Sequence, residues 1–120
     1  MAEPAQGMSS TIATEHEGGR YFLIALRGEW DLYNRPELEE ALLAAEAAAE
    51  SLVVLDLSHA TFIDSSVLGA LVEARKRSHE RVKITVVAQD RQIRKVFEIT
   101  GLAGVFALQE SLDAVIPQST

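Results

Sequence analysis

The chain has no cysteine among its 120 residues. Disulfide staples and thiolate metal sites are therefore excluded, and the composition fits a reducing, cytoplasmic compartment. Basic charge is scarce as well, with 11 Lys and Arg against 18 Asp and Glu and a formal net charge of −7. Such a chain is poorly suited to the phosphate backbone of nucleic acid, which is bound through clustered cations. Acidity of this kind serves solubility, or attraction to a basic partner. No apolar run approaches the roughly 20 residues that span a bilayer, so no membrane association is expected. The first residues, MAEPAQGMSS, lack both a basic region and an apolar core and do not read as a secretory signal.

What is present is a globular complement, 48% apolar and 24% charged, close to the average for soluble domains. The length suits one domain with a real core. The expected organisation is a flexible lead over residues 1–8, one domain over 9–116 and a tail over 117–120.

Ser9 to Glu15 reads as a first strand, Glu17 to Arg20 as a glycine-bearing turn and Tyr21 to Arg27 as a second strand. Together they predict an N-terminal hairpin. Gly28-Glu29-Trp30-Asp31 is expected to break that strand. Asn34, Pro36 and Glu37 form a capping arrangement in which the Asn side chain accepts from a first-turn amide. The following ELEEALLAAEAAAE predicts a helix with Leu38, Leu42 and Ala45 on one face. Leu52 to Leu57 is a buried strand, and Leu68, Leu71 and Val72 recur at helical spacing over about Ser65 to Ser78. Val82 to Ala88 is a core strand, and Arg91 to Thr100 is a helix followed by Gly101, which suits the position past its end. Val105 to Ala107 reads as a short last strand, and Ser111 to Ile116 as a final helix stopped by Pro117. Strands and helices that alternate in this way imply parallel pairing in an α/β domain.

One stretch carries more than a fold. Leu55 to Ala74 reads LDLSHATFIDSSVLGALVEA, and Asp64-Ser65-Ser66 falls where a loop after a central strand becomes a helix. One reading is a helix cap, since Asp or Ser there satisfies an unpaired first-turn amide. Capping does not require two hydroxyls, however, and the region beyond the carboxyl ends of strands is where open α/β sheets bind ligands. A hydroxyl at a helix N-terminus suits a phosphoryl group, because the positive helix end tolerates the anion. A partner docked there would meet about −1.5 to −2 of new charge, next to Asp64. Such a switch changes binding and leaves the fold nearly intact.

DLSHATFIDSSVLGAL resembles the signature of anti-sigma factor antagonists, the STAS domains of the sporulation and general-stress type. Their pattern leads into Asp-Ser-Ser/Thr-Gly-Leu-Gly. Leu26-Arg27-Gly28-Glu29-Trp30-Asp31 is similar to the family's Gly-Glu-hydrophobic-Asp segment. Val96 to Leu102 is similar to its late Phe-Asp/Glu-x-Ser/Thr-Gly-Leu segment. These blocks lie in order over about Tyr21 to Ile116.

The resemblance implies an α/β STAS fold: a small mixed β-sheet with an N-terminal hairpin and parallel central strands, flanked by about four helices. It also implies a mechanism of partner switching. The unphosphorylated protein would bind a small ATP-dependent anti-sigma factor serine kinase and free a sigma factor. Phosphorylation of Ser65, with Ser66 as the alternative, would release it, and a phosphatase would reset the cycle. The chain would then be a substrate and not an enzyme, with no cofactor. Asp31, Asp64, Ser65, Ser66 and Val67 would form the partner surface, while Gly28, Asn34 and Gly101 would be structural. Val67 stands where the family has glycine, and its branched side chain is expected to crowd a close partner. The alternative is a non-switching STAS module in a stress-signalling or lipid-transport complex, whose binding would ignore Ser65.

The remaining residues point nowhere else. Trp30 and Tyr33 are candidates for an aromatic anchor, with partial core burial as the other reading of Trp30. His16, His59 and His79 have no ligand spacing, so no metal is expected. Arg75-Lys76-Arg77 complements the helix dipole. Neither a Gly-x-Ser-x-Gly elbow nor a Gly-x-x-x-x-Gly-Lys loop is present.

Overall fold

The computed structural model describes residues 10–116. The lead over residues 1–8 and the tail from Pro117 onward lie outside the described residues. Strand β1 (Thr11–Glu17) turns at Gly18 and Gly19 into β2 (Tyr21–Trp30). Helix α1 (Arg35–Ala47), β3 (Leu52–Ile63), α2 (Ser65–Arg77), β4 (Lys83–Val87) and α3 (Arg91–Ile99) follow. The sheet order is β1-β2-β3-β4, antiparallel in the hairpin and parallel between β2, β3 and β4. Each parallel pair is joined through a helix, as the alternation of elements requires.

One face of the sheet carries the main core. Ile24, Leu26, Val53, Leu55 and Val86 meet Leu38 and Leu42 of α1, Leu71 of α2 and Phe97 of α3. On the other face Tyr21, Leu23, Val54 and Val87 form a smaller cluster, covered by Leu112, Val115 and Ile116. Successive strand residues point to opposite faces, and that alternation sends Leu55 to one cluster and Val54 to the other.

Four expectations change. Strand β2 does not break at Gly28 but runs on to Trp30. Gly28 takes φ +88°, and the pairing with β3 shifts register at Ala25/Arg27 and Gly28/Glu29, so the strand bulges instead of ending. Strand β3 extends beyond Leu57 to Ile63, because its second half pairs with the end of β2. Val105 to Ala107 is a turn, with Ala107 at φ +46°. Edge pairing to β4 falls instead on a bridge between Val87 and Gln109. Ser111 to Ile116 forms only a three-residue 3₁₀ turn, Leu112–Ala114, and Ser111 gives it no side-chain cap. The described residues thus hold three α-helices, not about four.

Candidate functional site

The ends of β2 and β3 lie side by side. Trp30 pairs with Ile63, and the Asp64 amide donates to the Trp30 carbonyl at 3.2 Å. Asp31 and Asp64 therefore follow directly on paired residues, which brings the loop after β2 beside the start of α2. Trp30 anchors this corner. Its ring is fully buried, more than the partial burial expected, and its indole N–H donates to the Arg27 carbonyl at 3.0 Å.

The loop after Trp30 is laced by its own side chains. Asp31 Oδ1 accepts from the Tyr33 amide at 2.9 Å, an Asx-type turn. Asn34 occupies the cap position of α1 but makes no side-chain cap bond. Its side-chain oxygen accepts from the Asp31 amide and its side-chain nitrogen donates to the Glu29 carbonyl, both at 2.9 Å. The expected capping role of the Asn34 side chain is thus replaced by loop closure, and Pro36 in the first turn leaves one fewer amide to satisfy. This closure leaves Leu32 at 69% and Tyr33 at 93% exposure.

At the start of α2, Asp64 is the cap. Its Oδ1 accepts from the Ser66 amide at 2.9 Å and from the Ser66 hydroxyl at 2.5 Å. Ser65 is exposed, and its hydroxyl has no hydrogen-bond partner among the described residues. The two serines are chemically alike but differently placed: one hydroxyl is held and the other is free. No acid occupies the first turn of α2, and Arg75, Lys76 and Arg77 fill its last turn. That arrangement leaves the positive helix end unneutralised beside Ser65 except for Asp64.

Val67 is a correction. Its side chain is fully buried in the main core, so it presents no surface and cannot crowd a partner. The signal was available, since Val67, Leu71 and Ala74 recur at helical spacing and share one buried face. Gly101 takes φ +77°. Its amide bonds the Glu98 carbonyl at 3.1 Å while the Leu102 amide bonds the Phe97 carbonyl at 2.9 Å, the paired closure of a helix end.

Two features near the site escaped the sequence reading. Arg35 pairs with Glu39 within α1 at 2.7 Å and links α1 to α2 through Glu73 at 3.4 Å. Its guanidinium lies over Gly69, 3.2 Å from where a Cβ would stand. The bond to Glu39 raises the Arg35 pKa above its ordinary value. The spacing of Arg35 and Glu39 was legible, but the reach to Glu73 depends on how α1 packs against α2. Phe62, 49% exposed, borders a small pocket of about 140 Å³ with Ile93 and Val96 of α3.

Chemically, the corner offers a free Ser65 hydroxyl at a helix N-terminus, while the adjoining carboxylate, Asp64, is bonded to Ser66. His16 of β1 is bonded to Glu50, in the loop before β3, at 2.8 Å, and no cluster able to hold a metal occurs among the described residues.

The family model of the STAS domain matches residues 11–115. The chain belongs to the STAS domain family. It is similar to the anti-sigma-B factor antagonist of Staphylococcus epidermidis, 28% identical over 94 residues that cover 78% of this chain and 87% of the relative. The Staphylococcus aureus counterpart is 27% identical over 95 residues, covering 78% and 88%. Among solved structures, an anti-sigma factor antagonist from Mycobacterium paratuberculosis superposes with a TM-score of 0.79 at 30% identity, covering 88% of this chain and 90% of that one. The Bacillus cell fate determinant SpoIIAA in its phosphorylated form shares the fold, with a TM-score of 0.67 at 20% identity and coverage of 87% and 94%. In this STAS domain the Asp-Ser-Ser corner, the loop from Asp31 and the buried Trp30 form one unit.

Proposed function

We propose that this STAS domain is an anti-sigma factor antagonist that acts by partner switching. In its unphosphorylated form it binds an anti-sigma factor serine kinase, a small ATP-binding protein, and so frees a sigma factor. Phosphorylation of Ser65 releases the complex, and a phosphatase resets it. The observation that carries this reading is the difference between the two hydroxyls. Ser66 is engaged by Asp64, whereas Ser65 is exposed and available to accept a phosphoryl group. In that transfer the Ser65 oxygen bonds the γ-phosphorus of ATP, ADP leaves, and the hydroxyl proton passes to a base of the kinase. The new dianion sits at the helix end that tolerates it and beside Asp64, which adds to its repulsion of an acidic or close-fitting partner.

A pull-down from lysate of the native host with wild-type and Ser65→Glu baits tests the reading. It is supported if a small ATP-binding protein is held by the wild type and lost by the variant. If both baits hold the same larger assembly, the domain is a non-switching module and Ser65 is only part of a helix start.

A further inference from the structure

The first residues of β3 and β4, at the far end of the parallel strands from Ser65, border a groove of about 440 Å³. That volume is typical of sites for small organic ligands, which run to roughly 300–1,000 Å³. Thr85 and Lys83, two apart on one face of β4, line it together with Arg81, and Leu52 and Val115 supply an apolar wall. No carboxylate lines it among the described residues.

Two observations coincide there. Arg81 and Lys83 are exposed, and neither has an ion-pair or side-chain hydrogen-bond partner among the described residues. In a chain of net charge −7 this is a local reversal of sign. Thr85 is 3% exposed, and its hydroxyl has no hydrogen-bond partner among the described residues although it lines the groove. Buried hydroxyls are nearly always bonded, because losing water without compensation is unfavourable. Lys83 alone has an ordinary explanation, since lysine on an edge strand deters pairing with a second sheet. The Thr85 hydroxyl has none, and an acceptor in the groove would supply its missing bond.

We propose that this groove binds a small organic anion. The carboxylate or phosphate head lies between Arg81 and Lys83 and accepts from the Thr85 hydroxyl, while a short apolar body rests against Leu52 and Val115. The site is independent of the Ser65 switch and stands or falls separately from it.

The test is an NMR titration of the full chain, ¹⁵N-labelled, with hexanoate, hexyl phosphate and neutral hexanol at constant ionic strength. Saturable shifts at the Lys83, Thr85 and Ala114 amides are expected with at least one anion and not with hexanol, and the anion that saturates identifies the head. Arg81→Gln with Lys83→Gln, both at exposed positions, should weaken that affinity about tenfold or more. Thr85→Val, close in shape, should weaken it about threefold with an unchanged spectrum elsewhere. The proposal is overturned if neither anion gives saturable shifts in the groove at millimolar concentration, if hexanol binds equally well, or if the double variant binds like the wild type.

Discussion

Asp64 and Ser66 are joined twice through a single oxygen: Asp64 Oδ1 accepts the Ser66 amide at 2.9 Å and the Ser66 hydroxyl at 2.5 Å. The acid caps the helix and in the same act holds one of two adjacent hydroxyls in place. Asp64→Ala is expected to cost about 1 kcal/mol of stability, the usual value of a lost cap. It should also free Ser66, so that phosphate divides between the two serines. Urea unfolding and phosphopeptide mapping of the variant check both effects.

Val67 is expected to matter for stability and not for binding. Val67→Ala removes buried methyl groups from the main core, and should cost about 2 kcal/mol. Partner affinity should stay within about twofold of the wild type. Paired measurements of unfolding midpoint and of binding by calorimetry separate the two.

Trp30 and Tyr33 should divide in the opposite sense. Trp30 is fully buried and hydrogen-bonded to Arg27, so Trp30→Ala should destabilise by about 3–5 kcal/mol. Tyr33 is 93% exposed, and Tyr33→Ala should change stability by less than about 0.5 kcal/mol. If the loop is a docking anchor, the same change weakens partner binding about tenfold or more, as loss of an aromatic hot spot does.

Glu50 sets an acid-side dependence. The hydrogen bond from His16, then that from the Gly19 amide, holds its carboxyl below the ordinary value of 4.5. A folded pKa below the unfolded one means that this stabilisation is present above the unfolded value and is lost as pH falls through the folded one. Glu50→Gln should therefore flatten the fall in stability below about pH 4.5, seen as urea midpoints that converge with those of the wild type in acid.

Much of this architecture is legible in the residues alone. Helix α1 declares itself through Leu38, Leu42 and Ala45, all buried on one face. The second strand is apolar on both faces, and the structure divides it accordingly: Ile24 and Leu26 enter the main core, while Leu23 turns to the opposite cluster. Asp64 to Ser66 reads as the start of a helix because acid and hydroxyl residues before an apolar periodic run are what a helix start requires. What stayed hidden depends on tertiary pairing. The stretch Ser58 to Thr61 carries only a weak strand signal, yet it is held in β3 by the end of β2. Asn34 sits at a cap position, but which way its side chain turns is decided by Asp31 and Glu29 across the loop. Val105 to Ala107 has strand-forming residues, but φ +46° at Ala107 bends it into a turn.

The central claim is that Ser65 is the switch. The direct measurement is phosphosite mapping by mass spectrometry after incubating the full chain with its captured kinase and ATP, alongside a binding titration of the product. The account predicts phosphate on Ser65, none on Ser65→Ala, and loss of binding once the site is filled. Phosphate confined to Ser66, or undiminished binding by the Ser65-phosphorylated protein, would contradict it.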